Sequence, residues 1–592
     1  MRRAATQRYH FPMTPIRDRL RGLAFFQQLD GAAIDEIARR GLWFSLAGGW
    51  ELFAQDSYSQ TLFFVLSGRL IVVREGKGGD EVIGYVRAGE PVGEMSLLSG
   101  EPHSASVYAL RDTELLALPR EDFDALLELS ADFASALARS VLRRARHPRD
   151  SFKKSAPRVF ALIASSPSID IEARAKRLEA EIARYGLKAR LLTEDDADHV
   201  FVSFEAQESA HDVVLLAARM TDTSWYRFAL RHADRFFVFA RRDARPQRPF
   251  PLSPEEESPA RKFRLVDLVM IQEGVQSAGV NEWADAIGAN RVFHWRNDDC
   301  LGRLARVVGG KSVGLVLSGG GARAYAHIGA VKAMREKGVP IDFVCGASMG
   351  AIVAACVAMG WDDKEIETRI NDAFVATNPL GDHVLPVVAL TRGRRVEERL
   401  ERHFGEALIE ELELPFFCVS SELVRGGARV HRMGKLREAL RASISLPGIL
   451  PPVVEGEALL VDGAVMNNFP TDIMAAVHRG VTIGIDVAQE GTIRASDYVD
   501  PPDFFRWAIR NGLRSPPPIV TLLMRAATAR EEGTKRVHPA DIMIAPQVPG
   551  VELRDWKSYA LAVEDGYRAT LKAIDDHWSD LGPIAAATGR ER

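Results

Sequence analysis

Three short stretches of this 592-residue chain combine residue types in an order that suits nucleophilic catalysis. The first is Gly346-Ala347-Ser348-Met349-Gly350, a G-x-S-x-G pentapeptide. An apolar run, Asp342-Phe343-Val344-Cys345, feeds into it, and Ala351-Ile352-Val353-Ala354-Ala355 leaves it. That is the strand–turn–helix setting of a nucleophile elbow. The turn is so tight that the residues two before and two after the serine must lack bulk, and Gly346 and Gly350 stand there. The Ser348 hydroxyl would then sit at a helix N-terminus, whose partial positive charge favours a developing oxyanion. A glycine turn that only packs helix on sheet would share the pentapeptide, but the flanking strand and helix patterns favour the nucleophile.

The second stretch is Ser318-Gly319-Gly320-Gly321-Ala322-Arg323, directly after the strand-like Gly314-Leu315-Val316-Leu317. Consecutive glycines let successive backbone N–H groups converge on one anion, so the loop suits either a nucleotide phosphate or an oxyanion. The Walker pattern G-x-x-x-x-G-K-[ST] is absent. The dinucleotide fingerprint is met only loosely, with Ala324 at its third glycine and with Asp342 opening the next strand instead of closing it. A serine nucleophile one strand downstream favours an oxyanion hole built from Gly319, Gly320 and Gly321. Arg323 would anchor the loop or meet a substrate phosphate, and anchoring is the simpler role.

The third stretch is Leu459-Leu460-Val461-Asp462-Gly463-Ala464. An aspartate ending an apolar strand before glycine is an ordinary turn when taken alone. Ser348, however, needs a base to accept its proton. Hydrolases with a triad place a histidine after the aspartate, and His478, His538 and His577 follow Asp462 without any recognisable loop motif. A Ser348–Asp462 dyad, with the carboxylate touching the hydroxyl directly, therefore stands as an alternative to the triad.

The elements that must position these residues fall into three blocks. Residues 23–143 carry short β-type runs broken by turns, such as Leu62-Phe63-Phe64-Val65-Leu66, Ser67-Gly68 and Leu70-Ile71-Val72-Val73, with helical patterns at 32–40 and 122–143. That predicts an antiparallel roll flanked by helices. A basic linker follows, with Arg143, Arg144, Arg146, Arg149, Lys153, Lys154 and Arg158. It suits a solvated connection better than an anionic lipid surface. Residues 158–308 alternate amphipathic helices with apolar runs (Phe160-Ala161-Leu162-Ile163, Val213-Val214-Leu215-Leu216, Phe236-Phe237-Val238-Phe239), predicting buried parallel strands. The stretch 245–259, rich in Pro, Glu and Ser, reads as an exposed loop. From Gly309 onward, strand and helix patterns alternate again and predict an α/β layered sheet.

Composition excludes several classes. Apolar residues make up 46% and charged residues 26%, with 76 basic against 80 acidic side chains and a net charge of -4. This balance gives no pull toward nucleic acid. The four cysteines, Cys300, Cys345, Cys356 and Cys418, show no C-x-x-C spacing and read as buried reduced thiols, not a disulfide framework or a zinc site. No apolar run approaches the roughly 18 residues of a membrane span, and the start lacks a secretory pattern. The expectation is a cytoplasmic protein that meets lipid from outside the bilayer. A pattern after Pro501-Pro502, with Phe504, Phe505, Trp507, Ile509 and Leu513, fits core packing better than a membrane surface.

Taken together, G-G-G-A-R, G-A-S-M-G and D-G-A resemble the patatin-like phospholipases. The fit is closest to their neuropathy-target-esterase branch, through Ser443-Ile444-Ser445-Leu446-Pro447-Gly448-Ile449-Leu450-Pro451-Pro452, Asn467-Asn468-Phe469-Pro470 and Gly484-Ile485-Asp486-Val487. The resemblance spans residues 281–567, and the middle block more weakly through Trp225 and Arg231-His232-Ala233-Asp234. It implies Ser348 as nucleophile, Asp462 as base, glycine-loop oxyanion donors, no metal or other cofactor, and carboxylic esters of lysophospholipids or phospholipids as substrates. Acyl transfer by the same dyad is the neighbouring alternative.

Gly93-Glu94-Met95-Ser96-Leu97-Leu98 and Glu101-Pro102-His103-Ser104-Ala105 resemble the phosphate-binding cassette of cyclic-nucleotide-binding domains. There the glutamate meets the ribose and an arginine grips the cyclic phosphate. His103 stands at the arginine position, and a neutral imidazole offers one donor where guanidinium offers a charged fork. That puts cyclic-nucleotide binding in doubt and ranks a cyclic-nucleotide-responsive signalling protein behind an esterase. The expected architecture is multidomain. It has a β-roll over 1–147 with flanking helices, a linker and α/β region over 148–308, and a patatin-like α/β layered domain with a C-terminal extension over 309–592.

Overall fold

The computed structural model describes residues 13–58, 60–76, 81–146, 157–246, 265–272, 279–376, 380–384, 387–488, 540–548, 551 and 558–588. The chain divides into two compact units, Met1–Ala278 with Glu282–Asn290, and Gly279–Asn281 with Arg291–Arg592.

The first unit opens with eight antiparallel strands: β1 (Leu42–Leu46), β2 (Glu51–Phe53), β3 (Thr61–Ser67), β4 (Arg69–Arg74), β5 (Glu81–Arg87), β6 (Pro91–Val92), β7 (Ser106–Ala109) and β8 (Thr113–Pro119). They form two four-stranded sheets, β1-β8-β3-β6 and β2-β7-β4-β5. Gly68 makes the β3–β4 turn at φ +89°, where a Cβ would lie 2.5 Å from the Asp112 carbonyl oxygen, so glycine is required. Helices Gly31–Arg40, Arg120–Leu129 and Ala131–Arg146 flank the roll and bury Phe25, Phe26, Phe64, Phe123 and Phe133 against it. This is the roll the sequence predicts.

Five parallel strands follow in the same unit: β9 (Val159–Ala164), β10 (Ala189–Leu192), β11 (Val213–Arg219), β12 (Arg235–Arg241) and β13 (Leu265–Ile271), ordered β10-β11-β9-β12-β13. Their apolar runs are buried on both faces, as in parallel sheets covered by helices. Roll and α/β layer are one unit because buried charge ties them. Asp234 accepts the N–H groups of Arg158 and Val159 at 2.8 and 3.1 Å, and faces Arg111 at 3.2 Å and Arg69 at 3.7 Å. Removing one partner of such a set strands a charge in low dielectric.

The second unit contains β14 (Arg291–Trp295), β15 (Val313–Leu317), β16 (Phe343–Ala347), β17 (Phe416–Glu422), β18 (Gly427–His431), β19 (Val453–Glu455), β20 (Ala458–Asp462), β21 (Val481–Ile485) and β22 (Ile542–Ile544). The main sheet runs β19-β20-β17-β16-β15-β21-β22. Strands β17, β16, β15, β21 and β22 are parallel, while β18 and β20 pair antiparallel with β17.

Residues 291–308 lie in the second unit. Arg306, on the helix Asp298–Val308, grips Asp342 at 2.7 Å, and the other Asp342 oxygen accepts the Val313 N–H at 3.0 Å. The same contacts make Asp342 a structural anchor, closing the dinucleotide reading of the glycine loop.

All four cysteines are free and buried, and burial pushes the thiols of Cys345, Cys356 and Cys418 up, away from reactive thiolate. Among the described residues no helix is long and apolar enough to cross a membrane. Several sequence expectations fall outside the described residues: Arg149, Lys153 and Lys154 of the linker, nearly all of the loop 245–259, and the apolar pattern from Phe504 to Leu513.

Candidate active site

β16 delivers Ser348 into the turn before the helix Met349–Ala358. Ser348 itself has φ +52° and ψ −130°, a region that side-chain-bearing residues occupy only under constraint. The flanking glycines make the turn possible. A Cβ on Gly346 would lie 2.6 Å from the Gly350 carbonyl carbon, and one on Gly350 would lie 2.5 Å from the Leu317 carbonyl oxygen. The Ser348 N–H donates to Ser443 Oγ at 3.0 Å, and that hydroxyl donates on to the Val419 carbonyl at 2.7 Å.

β20 brings Asp462 to the same place. Ser348 Oγ–H donates to Asp462 Oδ2 at 2.6 Å, while Asp462 Oδ1 accepts the Ala464 N–H at 2.8 Å. The carboxylate is buried at 1% exposure. Burial raises its pKa from 3.8 to about 6, partly offset by the hydrogen bonds from Ser348 and Ala464. An aspartate tuned this way is a better proton acceptor than one in water.

The glycine loop lies on the other side of the serine. A Cβ on Gly319 would collide with the Asn468 side chain and lie 2.9 Å from Ser348 Cβ, so the loop touches the elbow because residue 319 has no side chain. Gly321 has φ +56°. Among the described residues neither the Gly320 nor the Gly321 N–H has an acceptor. The Gly319 N–H donates to the Asn468 carbonyl at 3.3 Å, which straps the loop at residue 319. Arg323 Nε donates to the Val551 carbonyl at 2.8 Å.

Three supports carry roles that the sequence did not assign: Ser443 and Asn468 stood there only as part of the family resemblance, and His327 was not singled out. Asn468 straps the loop a second time, Nδ2 donating to the Gly319 carbonyl at 3.2 Å. His327 Nε2 donates to the Ser318 carbonyl at 2.8 Å, and burial lowers this imidazole to about 4, so it stays neutral. Ser443 pins the elbow amide. The polar residues inside apolar helix patterns, His327 and Ser443, were the only local signal. Among the described residues, neither His478 nor His577 completes a triad: His478 bonds Ser312 and Thr482, and His577 bonds the Ala573 carbonyl; His538 lies outside the described residues.

In the roll, Gly93 (φ +89°) starts the short helix Glu94–Ser99, Glu94 is buried, and Ser104 is exposed. His103 is stacked on Phe53, with ring centroids 3.7 Å apart and planes 11° apart. The His103 backbone N–H donates to the Ser57 carbonyl at 2.8 Å, and burial lowers the side-chain pKa, which favours the neutral ring.

A strained serine on a strand–helix turn, an aspartate beside it and a glycine loop define a patatin-like phospholipase domain, and residues 315–475 match that family (Patatin-like phospholipase). Residues 44–130 match the cyclic nucleotide-binding domain. An uncharacterized NTE family protein of Mycobacterium tuberculosis is 30% identical over 584 residues, covering 95% of this chain and 97% of that one. Patatin-like phospholipase domain-containing protein 6 of Homo sapiens is 27% identical over 544 residues, covering 80% of this chain but 39% of that protein. The chain belongs to the NTE family.

Proposed function

We propose that the chain is a serine esterase that hydrolyses carboxylic ester bonds of lysophospholipids or phospholipids. Ser348 is the nucleophile and Asp462 the base. Asp462 takes the hydroxyl proton as Oγ attacks the ester carbonyl, and the N–H groups of Gly320 and Gly321 hold the tetrahedral oxyanion. Asp462 then returns the proton to the departing alcohol. A water, deprotonated by the same carboxylate, cleaves the acyl-enzyme and restores the Ser348 hydroxyl. One oxyanion donor of this kind contributes about 2.7–4 kcal/mol to barrier lowering. The observation that carries the reading is the 2.6 Å hydrogen bond from Ser348 to a buried carboxylate beside two unclaimed backbone donors.

The test is a panel of lysophosphatidylcholine, diacyl phospholipids and neutral glycerides, with Ser348→Ala as blank and an added alcohol to reveal acyl transfer. Release of fatty acid by the wild type and none by the variant supports the reading. Equal release by both removes Ser348 from the mechanism. The stacked, uncharged His103 supports a roll that serves as scaffold in place of a cyclic-nucleotide sensor. Calorimetry with cyclic AMP and cyclic GMP tests that, and micromolar binding would reinstate the sensor.

A further inference from the structure

The C-terminal ends of β16 and β17 point the same way, because the two strands are parallel. Ser348 lies at the end of β16, and β17 runs on past Asp462, pairing Ser420 with Asp462 and Glu422 with Leu460. Beyond Glu422 the chain turns through residues 423–426 into β18. Turn tips favour Gly, Asn, Asp, Pro and Ser for conformational and solvation reasons, yet this one begins Leu423-Val424, and Val424 is 63% exposed. The neighbouring β19–β20 hairpin exposes Val454 at 71%. Its strands place Val454 opposite Leu459, whose carbonyl accepts the Leu423 N–H at 2.9 Å, so the two hairpins are side by side.

Met466, partly exposed, joins this rim to the site, since its Sδ accepts the Gly427 N–H at 2.9 Å, four residues after Asp462. Val387 and Val388 are also exposed, next to Ala389, which bridges to Gly448. Gly448 lies three residues after Ser445, whose carbonyl holds the Asp462 N–H. Exposed apolar side chains thus lie on segments bonded to the strands around the Ser348–Asp462 pair, and β17 runs about 7 Å beyond Ser420, at roughly 3.3 Å per residue, before the turn that carries Val424.

Two arginines and three glutamates stand on these hairpins, so there is no cationic excess. Arg425 lies 3.9 Å from Glu422 and 4.0 Å from Glu457, and Arg429 lies 3.6 Å from Glu455. A rim with apolar tips and no cationic excess has nothing to offer a polyanion, and it matches a surface that is itself zwitterionic.

We propose that the Leu423-Val424 tip, together with Val454 on the neighbouring strand, docks the active-site end of the second unit onto a zwitterionic phospholipid bilayer. The proposal rests on the esterase reading for its substrate class. These side chains enter the headgroup–acyl boundary, a depth of about 5–10 Å typical of interfacial apolar residues, and bring Ser348 to where ester carbonyls lie. Because insertion and not charge drives the contact, it is insensitive to salt.

The experiment uses the full chain with phosphatidylcholine vesicles, with and without 20% phosphatidylglycerol, in a flotation assay run beside hydrolysis of a soluble short-chain ester. Expected are vesicle binding by the wild type in 0.05 and 0.5 M salt, and at least a tenfold loss of binding in Leu423→Asp/Val424→Asp. Hydrolysis of the soluble ester is unchanged in that variant. The milder Leu423→Ser/Val424→Ser should show an intermediate loss with an unaltered melting temperature, which separates docking from misfolding. Ser348→Ala should float like wild type, so the docking result stands even if no esterase activity is found. Absence of wild-type binding, binding only with phosphatidylglycerol at low salt, or undiminished flotation of both double variants would overturn the proposal. So would a tip substitution that only converts an oligomer to monomers.

Discussion

Asp462 accepts a hydrogen bond from the Ser348 hydroxyl at 2.6 Å while almost wholly sealed from water, and that burial lifts its pKa to about 6. Only the carboxylate form can accept a proton. Esterase kcat/KM should therefore fall about tenfold per pH unit below pH 6. An aspartate near its free value of ~3.9 would put the same limb about two units lower. A pH–rate profile with a soluble ester checks this, and an acid limb near pH 4 would count against burial as the tuning force.

The same shift acts on stability. The folded state holds the Asp462 proton more tightly than the unfolded chain, so the group's stabilising contribution is full below about pH 4 and is lost as pH rises through about 6. At pH 8 the buried carboxylate destabilises the fold by about 3 kcal/mol, from roughly two pKa units at ~1.4 kcal/mol each. Asp462→Asn should abolish esterase activity and still unfold at higher denaturant than wild type at pH 8, with the difference vanishing near pH 4. A variant less stable than wild type at pH 8 would contradict this.

Ser348 sits at φ +52° only because the turn forces it there. Strain of this kind amounts to about 1–3 kcal/mol, and glycine escapes it. Ser348→Gly should be inactive and more stable than both wild type and Ser348→Ala in urea unfolding. If the glycine and alanine variants unfold together, the elbow is not strained.

The glycines around the serine separate folding from activity. On Gly350 a methyl group would meet the backbone carbonyls of Leu317 and Ser318, which cannot move without opening the sheet. Gly350→Ala should give little folded protein. On Gly319 the nearest groups are the Asn468 side chain and Ser348 Cβ. Gly319→Ala should fold, with a moderate loss of stability, while losing most activity as the loop is pushed from the elbow. Soluble yield and melting temperature against esterase rate make the comparison.

The demands of the local backbone were legible in the sequence. Glycines at 346 and 350, three glycines after the β15 run, and an aspartate closing an apolar strand each state a short-range steric or electrostatic requirement, and their order brought the site together on paper. What the chain could not state locally was decided by contacts between residues far apart. Asn468 claims the Gly319 N–H, while Ser443 pins the Ser348 amide. Arg306 reaches Asp342 and draws residues 291–308 into the second unit. The basicity of Asp462 likewise depends on how much of the fold closes over it. Periodicity and motifs record what each segment needs from its own backbone. Solvent exclusion and hydrogen-bond competition are set only when distant segments share a volume.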